Sequence, residues 1–129
     1  MLSSCILTDQ KESRFTNYQQ AQESNFFEKG WIPSALIMPS MTDIYVKNNL
    51  DLNTYIFAST YTKEDLTLIK TYQTNVTLKT KDVNGISLPS WWKNETKEKT
   101  FYLITTKQND DLIYIYIDNH KQKIYGFHK

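Results

Sequence analysis

Leu112-Ile113-Tyr114-Ile115-Tyr116-Ile117-Asp118 alternates with a period of two, placing Ile113, Ile115 and Ile117 on one face and Leu112, Tyr114 and Tyr116 on the other. Its β-branched and aromatic composition makes it a strand. A strand apolar on one side and amphipathic on the other belongs in the middle of a sheet, with helices against its isoleucine face. The flanking runs Phe101 to Thr106 and Gln122 to Phe127 are equally β-rich, and Lys107-Gln108-Asn109-Asp110-Asp111 and Asn119-His120-Lys121 separate the three. Connections this short exclude a parallel crossover, so the C-terminal third reads as a three-stranded antiparallel meander.

Working back towards the N-terminus, Tyr55, Phe57, Ser59 and Tyr61 alternate with Ile56, Ala58 and Thr60, and Ile44 and Val46 alternate with Tyr45 and Lys47. With the turn-rich 48–53 between them, these segments predict a hairpin. Thr62 followed by Asp65 opens a helix whose Leu66 and Ile69 share a side, ending near Thr71 or Tyr72. Thr16 with Gln19 suggests a capping box, and a helix over roughly 17–28 is expected, stopped by Gly30. Val76 and Leu78 mark a weak strand. Residues 79–99, carrying Pro89 and Trp91-Trp92, read as an irregular excursion. The expected fold class is α+β: an antiparallel sheet of about five strands, including the C-terminal meander, with two helices packed on one face.

At 129 residues and a formal charge of +1, the chain supports one domain, expected over 15–129, behind an N-terminal tether over 1–14. Among 15 basic residues Arg14 is the single arginine, which argues against nucleic-acid partners. No apolar run approaches the length of a transmembrane helix. The lone cysteine, Cys5, excludes an intramolecular disulfide. Leu2-Ser3-Ser4-Cys5 has the form of a bacterial lipobox, in which small residues fit the narrow slots of a signal peptidase and the Cys becomes the lipidated residue. Cys5 is therefore the expected lipid-attachment site, and an anchor there is the expected route to a membrane. Only Met1 precedes the box, so the charged and apolar parts of a signal peptide are not in this sequence.

Nucleophilic catalysis needs Ser, Thr or Cys beside a base and an orienting group. The two histidines, His120 in a turn and His128 beside the terminus, sit where geometry is loosely held, so no catalytic residue is assigned. No metal ligand set has the required spacing, no glycine-rich phosphate loop exists, and no cofactor or small-molecule substrate is expected. Binding is the better prospect. Adjacent indoles on a strand or turn cannot both point inward, so Trp91, Trp92 and Lys93 are the candidate protein-binding residues, Trp92 being the expected hot spot. The opposing reading has Trp91 capping the core and Trp92 lying flat on the surface. The Tyr114 and Tyr116 face is a second candidate surface.

Phe26-Phe27-Glu28-Lys29-Gly30-Trp31-Ile32-Pro33, then Pro39-Ser40 with Asp43-Ile44, then Asn49-Leu50-Asp51-Leu52-Asn53 and an aromatic strand resemble the signature of the YbbD head-domain family. The resemblance covers Tyr18 to Phe57. Asn48 stands where that family commonly has His, and Leu52 where it has Thr. The resemblance implies a secreted or lipid-anchored bacterial envelope domain, in a genetic setting like that of immunity proteins, and supplies no reaction. The expected function is accordingly a non-catalytic, periplasmic, lipid-anchored protein-binding domain, an immunity-type inhibitor of a toxin or effector. An accessory structural lipoprotein of an envelope complex is the alternative. A small hydrolase would require His120 or His128 to meet Ser, Asp or Glu in a pocket.

Overall fold

Strand periodicity in the sequence is matched by pairing in space. The computed structural model of the chain describes residues 10–79, 83, 85–104 and 112–128. Among these the strands are β1 (Gln10–Asn17), β2 (Thr42–Asn49), β3 (Thr54–Thr60), β4 (Gln73–Lys79), β5 (Thr100–Ile104), β6 (Ile113–Asp118) and β7 (Lys123–His128). The α-helices are α1 (Tyr18–Glu23), α2 (Lys63–Lys70) and α3 (Ser90–Thr96), with 3-10 turns at Phe27–Lys29 and Ser34–Leu36. All seven strands join one sheet in the order β1-β2-β3-β7-β6-β5-β4, and every neighbouring pair is antiparallel.

This corrects the expected α+β class. The fold is largely β, with a seven-stranded sheet in place of about five strands, and its helices are only six, eight and seven residues long. They also occupy both faces. Ala21 of α1 and Leu66 and Ile69 of α2 pack with Ile113, Ile115, Ile44, Val46 and Phe57, so the β6 isoleucine face does meet helices as expected. On the opposite face Trp92 of α3 packs with Tyr114, Tyr125, Phe127, Phe101 and Ile56.

Two elements escape the sequence reading for physical reasons. Gln10–Asn17 is polar at every position but Phe15, and residues 10–14 fall in the stretch read as a tether. It nevertheless pairs with β2 from Gln10↔Asn49 to Asn17↔Thr42. As an edge strand it carries one large apolar residue to the core, Phe15, opposite Ile44, and its charged side chains guard the open edge. The second element, α3, lies where an irregular excursion was expected. Pro89 is its N-cap, extended at φ −74 and ψ 165, and two turns are too short to show a helical repeat. Its inward stripe is Trp92 and Thr96, and the Thr96 hydroxyl donates to the Trp92 carbonyl at 2.7 Å.

The helix start expected at Thr16 lies one residue on. Asn17 is the N-cap, its side chain accepting from the Gln20 amide at 2.9 Å, while Gln20 Oε1 accepts from the Thr16 amide at 2.6 Å. The α2 cap stands as read, with the Thr62 hydroxyl accepting from the Asp65 amide at 3.3 Å and Glu64 and Asp65 in the first turn. Tyr61, which leads into α2, is fully buried and donates its hydroxyl to the Leu36 carbonyl at 2.6 Å. Burial pushes that hydroxyl well above the usual tyrosine range.

Candidate functional site

The signature residues resolve into scaffold. Gly30 closes the Phe27–Lys29 turn in the left-handed region at φ 81, a conformation glycine adopts at no steric cost. Ile32 is buried, and the Trp31 ring meets Tyr55 edge-on with centroids 6.0 Å apart. The Asn49 side chain is the hub of the β2–β3 connection. Its Oδ1 accepts from the Asp51 and Leu52 amides at 3.0 and 2.9 Å, and its Nδ2 donates to the Gly85 carbonyl at 2.7 Å. One buried amide thus shapes the hairpin turn and ties it to the loop before α3. Asn49→Asp keeps the turn and loses the Gly85 bond, whereas Asn49→Ala loses both. The expected stability losses are about 1 and about 2–3 kcal/mol, in that order, by chemical denaturation.

The candidate binding residues separate. Trp92 has no solvent exposure: its ring lies 5.7 Å from Phe101, 6.2 Å from Phe127 and 6.4 Å from Tyr125. It is a core residue, so neither the hot-spot reading nor the surface reading of Trp92 holds. Trp91 is half-buried and rests on Tyr45 at 5.4 Å, and Lys93 is exposed one residue beyond. Successive helical residues diverge by about 100°, so both indoles pack on the sheet, one centrally and one at the margin. Cys5 and the lipobox-like Leu2–Cys5 lie outside the described residues.

The histidines are not brought together. His120 is exposed in the β6–β7 turn, its amide donating to Asp118 Oδ1, while His128 ends β7 stacked on Tyr55 at 5.2 Å. The length of β7, about 20 Å, lies between them. Among the described residues no group of three His, Cys, Asp or Glu could hold a metal ion, and no helix is long and apolar enough to cross a membrane.

The margin of the sheet where Trp91 sits shows an arrangement the sequence did not reveal. The pairings Arg14↔Tyr45, Tyr45↔Ala58, Ala58↔Tyr125 and Tyr125↔Tyr116 make one unbroken row across β1, β2, β3, β7 and β6. Partners directly opposite share a face, so all five project to the α3 side, over a span of about 19 Å. The small Ala58 leaves a low point between two rings, where the Lys123 ammonium lies 5.2 Å from the Tyr45 centroid and 5.7 Å from that of Tyr125. The Arg14 guanidinium sits 4.6 Å from the Tyr45 centroid, and Lys99 sits 5.5 Å from that of Tyr116. Tyr125 itself is buried, and burial raises its hydroxyl pKa, with Glu95 and Asp118 adding to the effect. Tyr45, Tyr116 and Lys123 are half-buried, and Arg14 and Lys99 are exposed. The row is therefore an accessible strip of cations seated on tyrosine rings, with Trp91 at its border.

In comparison with known families, residues 9–60 match the YbbD head domain. The matched segment runs from the residue before β1 to the end of β3, and so takes in the edge strand as well as the Tyr18 to Phe57 stretch that carries the resemblance. No curated protein and no solved structure matches the chain.

Proposed function

With a YbbD head-domain match over residues 9–60 as premise, we propose that the chain is a non-catalytic protein-binding domain of the bacterial envelope. In this reading it is held at the periplasmic face by lipid on Cys5 and acts as an immunity-type inhibitor of a toxin or effector. The observation that carries the binding role is the strip beside α3, where a half-buried tryptophan, Trp91, borders two half-buried tyrosines, Tyr45 and Tyr116, on one face of the sheet. Trp and Tyr supply large contact area at little conformational cost and dominate the energetics of protein interfaces.

The test is co-purification of the full-length protein with the products of adjacent genes. A one-to-one complex is expected, together with protection of cells in a toxin challenge. Trp91→Ala should weaken the complex about tenfold or more while leaving the fold intact. Capture of membrane-complex subunits without protection would favour an accessory lipoprotein and overturn the inhibitor role. Capture of nothing would overturn protein binding itself. Metabolic labelling with a radioactive fatty acid, lost in Cys5→Ser, tests the anchor.

A further inference from the structure

We infer that the strip formed by Arg14, Tyr45, Lys123, Tyr125, Tyr116 and Lys99 docks an acidic surface of a protein partner. The inference rests on the protein-binding reading and specifies the partner's chemistry. Its physical basis is uncompensated charge held in fixed places. Arg14 and Lys123 share one ring, at 4.6 and 5.2 Å from the Tyr45 centroid, so both like charges are seated against the same tyrosine. Among the described residues neither forms an ion pair, and nor does Lys99; the ion pair present is Lys121 with Glu95 at 2.7 Å. An acidic surface laid along the strip would bring carboxylates to each of these cations, and their side chains are already ordered on the rings, so less entropy is lost on binding.

The carboxylates facing the strip are committed elsewhere or stand apart. Asp118 is directly opposite Lys123 in the sheet, but its Oδ1 accepts from the His120 and Lys121 amides at 3.0 and 3.1 Å. Glu95 on α3 holds Lys121, whose pKa it raises through that bond. Glu12, two residues before Arg14, is opposite Lys47, and Lys47 donates to the Ser87 carbonyl and hydroxyl at 2.7 and 2.9 Å. The balance left on the face is positive.

Carboxylates fit this strip better than a nucleic acid does. A single strand needs open ring faces on which bases stack. Here the rings are taken: Tyr45 carries Arg14 and Lys123 and meets Trp91, Tyr116 carries Lys99, and Tyr125 is buried beneath Lys123. What the strip offers a ligand is its cations.

Titration of the isotope-labelled full chain with hexaglutamate, followed by amide NMR, tests the inference. Shifts confined to Arg14, Tyr45, Lys99, Tyr116 and Lys123 and their strand neighbours are expected, and they should fade at high salt. Arg14→Glu with Lys123→Glu should weaken the peptide about tenfold, and the corresponding glutamine pair should fall between that and the parent. Lys63→Glu, at the start of α2 on the other face, should change nothing. Shifts scattered over unrelated lysines, indifference to the double substitution, or tighter binding of a six-nucleotide oligothymidylate than of hexaglutamate would each overturn the inference. The titration needs no partner, so its failure leaves the protein-binding reading standing. A captured partner released by Trp91→Ala but retained by Arg14→Glu with Lys123→Glu would refute the acidic surface alone.

Discussion

Trp92→Ala should destabilise the domain by about 3–5 kcal/mol, a large share of the ~5–15 kcal/mol that holds a typical domain together. The indole is completely buried and is the main apolar side chain by which α3 closes over the sheet, in contact with rings on β5 and β7. Removing it opens a cavity among Phe101, Tyr125 and Phe127 that an alanine on a seven-residue helix cannot refill. The measurement is equilibrium denaturation, where the midpoint should fall with little change in slope. Trp92→Phe separates two contributions. It loses ring volume but also removes an indole N–H that has no acceptor among the described residues, so it should cost much less than the volume alone suggests. If Trp92→Ala unfolds as the parent does, α3 is not held to the sheet by this side chain. The result also bears on function: any loss of partner binding in this variant would report unfolding, which is why Trp91 is the informative position.

What could be read from the sequence follows from where burial imposes a pattern. The β2–β3 hairpin, α2 with its Thr62 cap and the β5–β6–β7 meander were visible because each buries alternating or helically spaced side chains. Edge strand β1 was hidden because an edge needs little apolar content, and Lys11, Glu12 and Arg14 look like tether residues until β2 is seen beside them. The Trp91-Trp92 pair was legible as chemically unusual, but not which indole is inward. That depends on α3 being a helix lying across the sheet rather than a strand within it. Of the cationic strip only Tyr116 was legible, as part of the second candidate surface. The strip exists only through the register that sets Arg14 opposite Tyr45 and Tyr125 opposite Tyr116, and no local pattern in either segment encodes that register.

Gly126→Ala should be nearly as damaging as the loss of a large core side chain, although it adds a single methyl to a strand. Gly126 lies in β7 between Phe57 of β3 and Ile115 of β6 in the pairing, on the face that packs against α1 and α2. A Cβ built there overlaps the edge of the Phe57 ring and comes within 3.2 Å of Ile115 Cγ2. The ring is fully buried and cannot swing out. In a generic strand the exchange would help, since alanine restricts the unfolded chain more than glycine does. Here the overlap decides the sign, and a loss of about 2–3 kcal/mol is expected from overpacking. The cause can be isolated with Phe57→Leu, which shortens the side chain that Gly126 accommodates. Phe57→Leu should be destabilising alone, yet Gly126→Ala should cost far less in its presence than in the parent, giving a double-mutant coupling of at least ~1 kcal/mol. Strict additivity would mean that the methyl is absorbed elsewhere, and that the close approach of β7 to the Phe57 ring is not what requires glycine at this position.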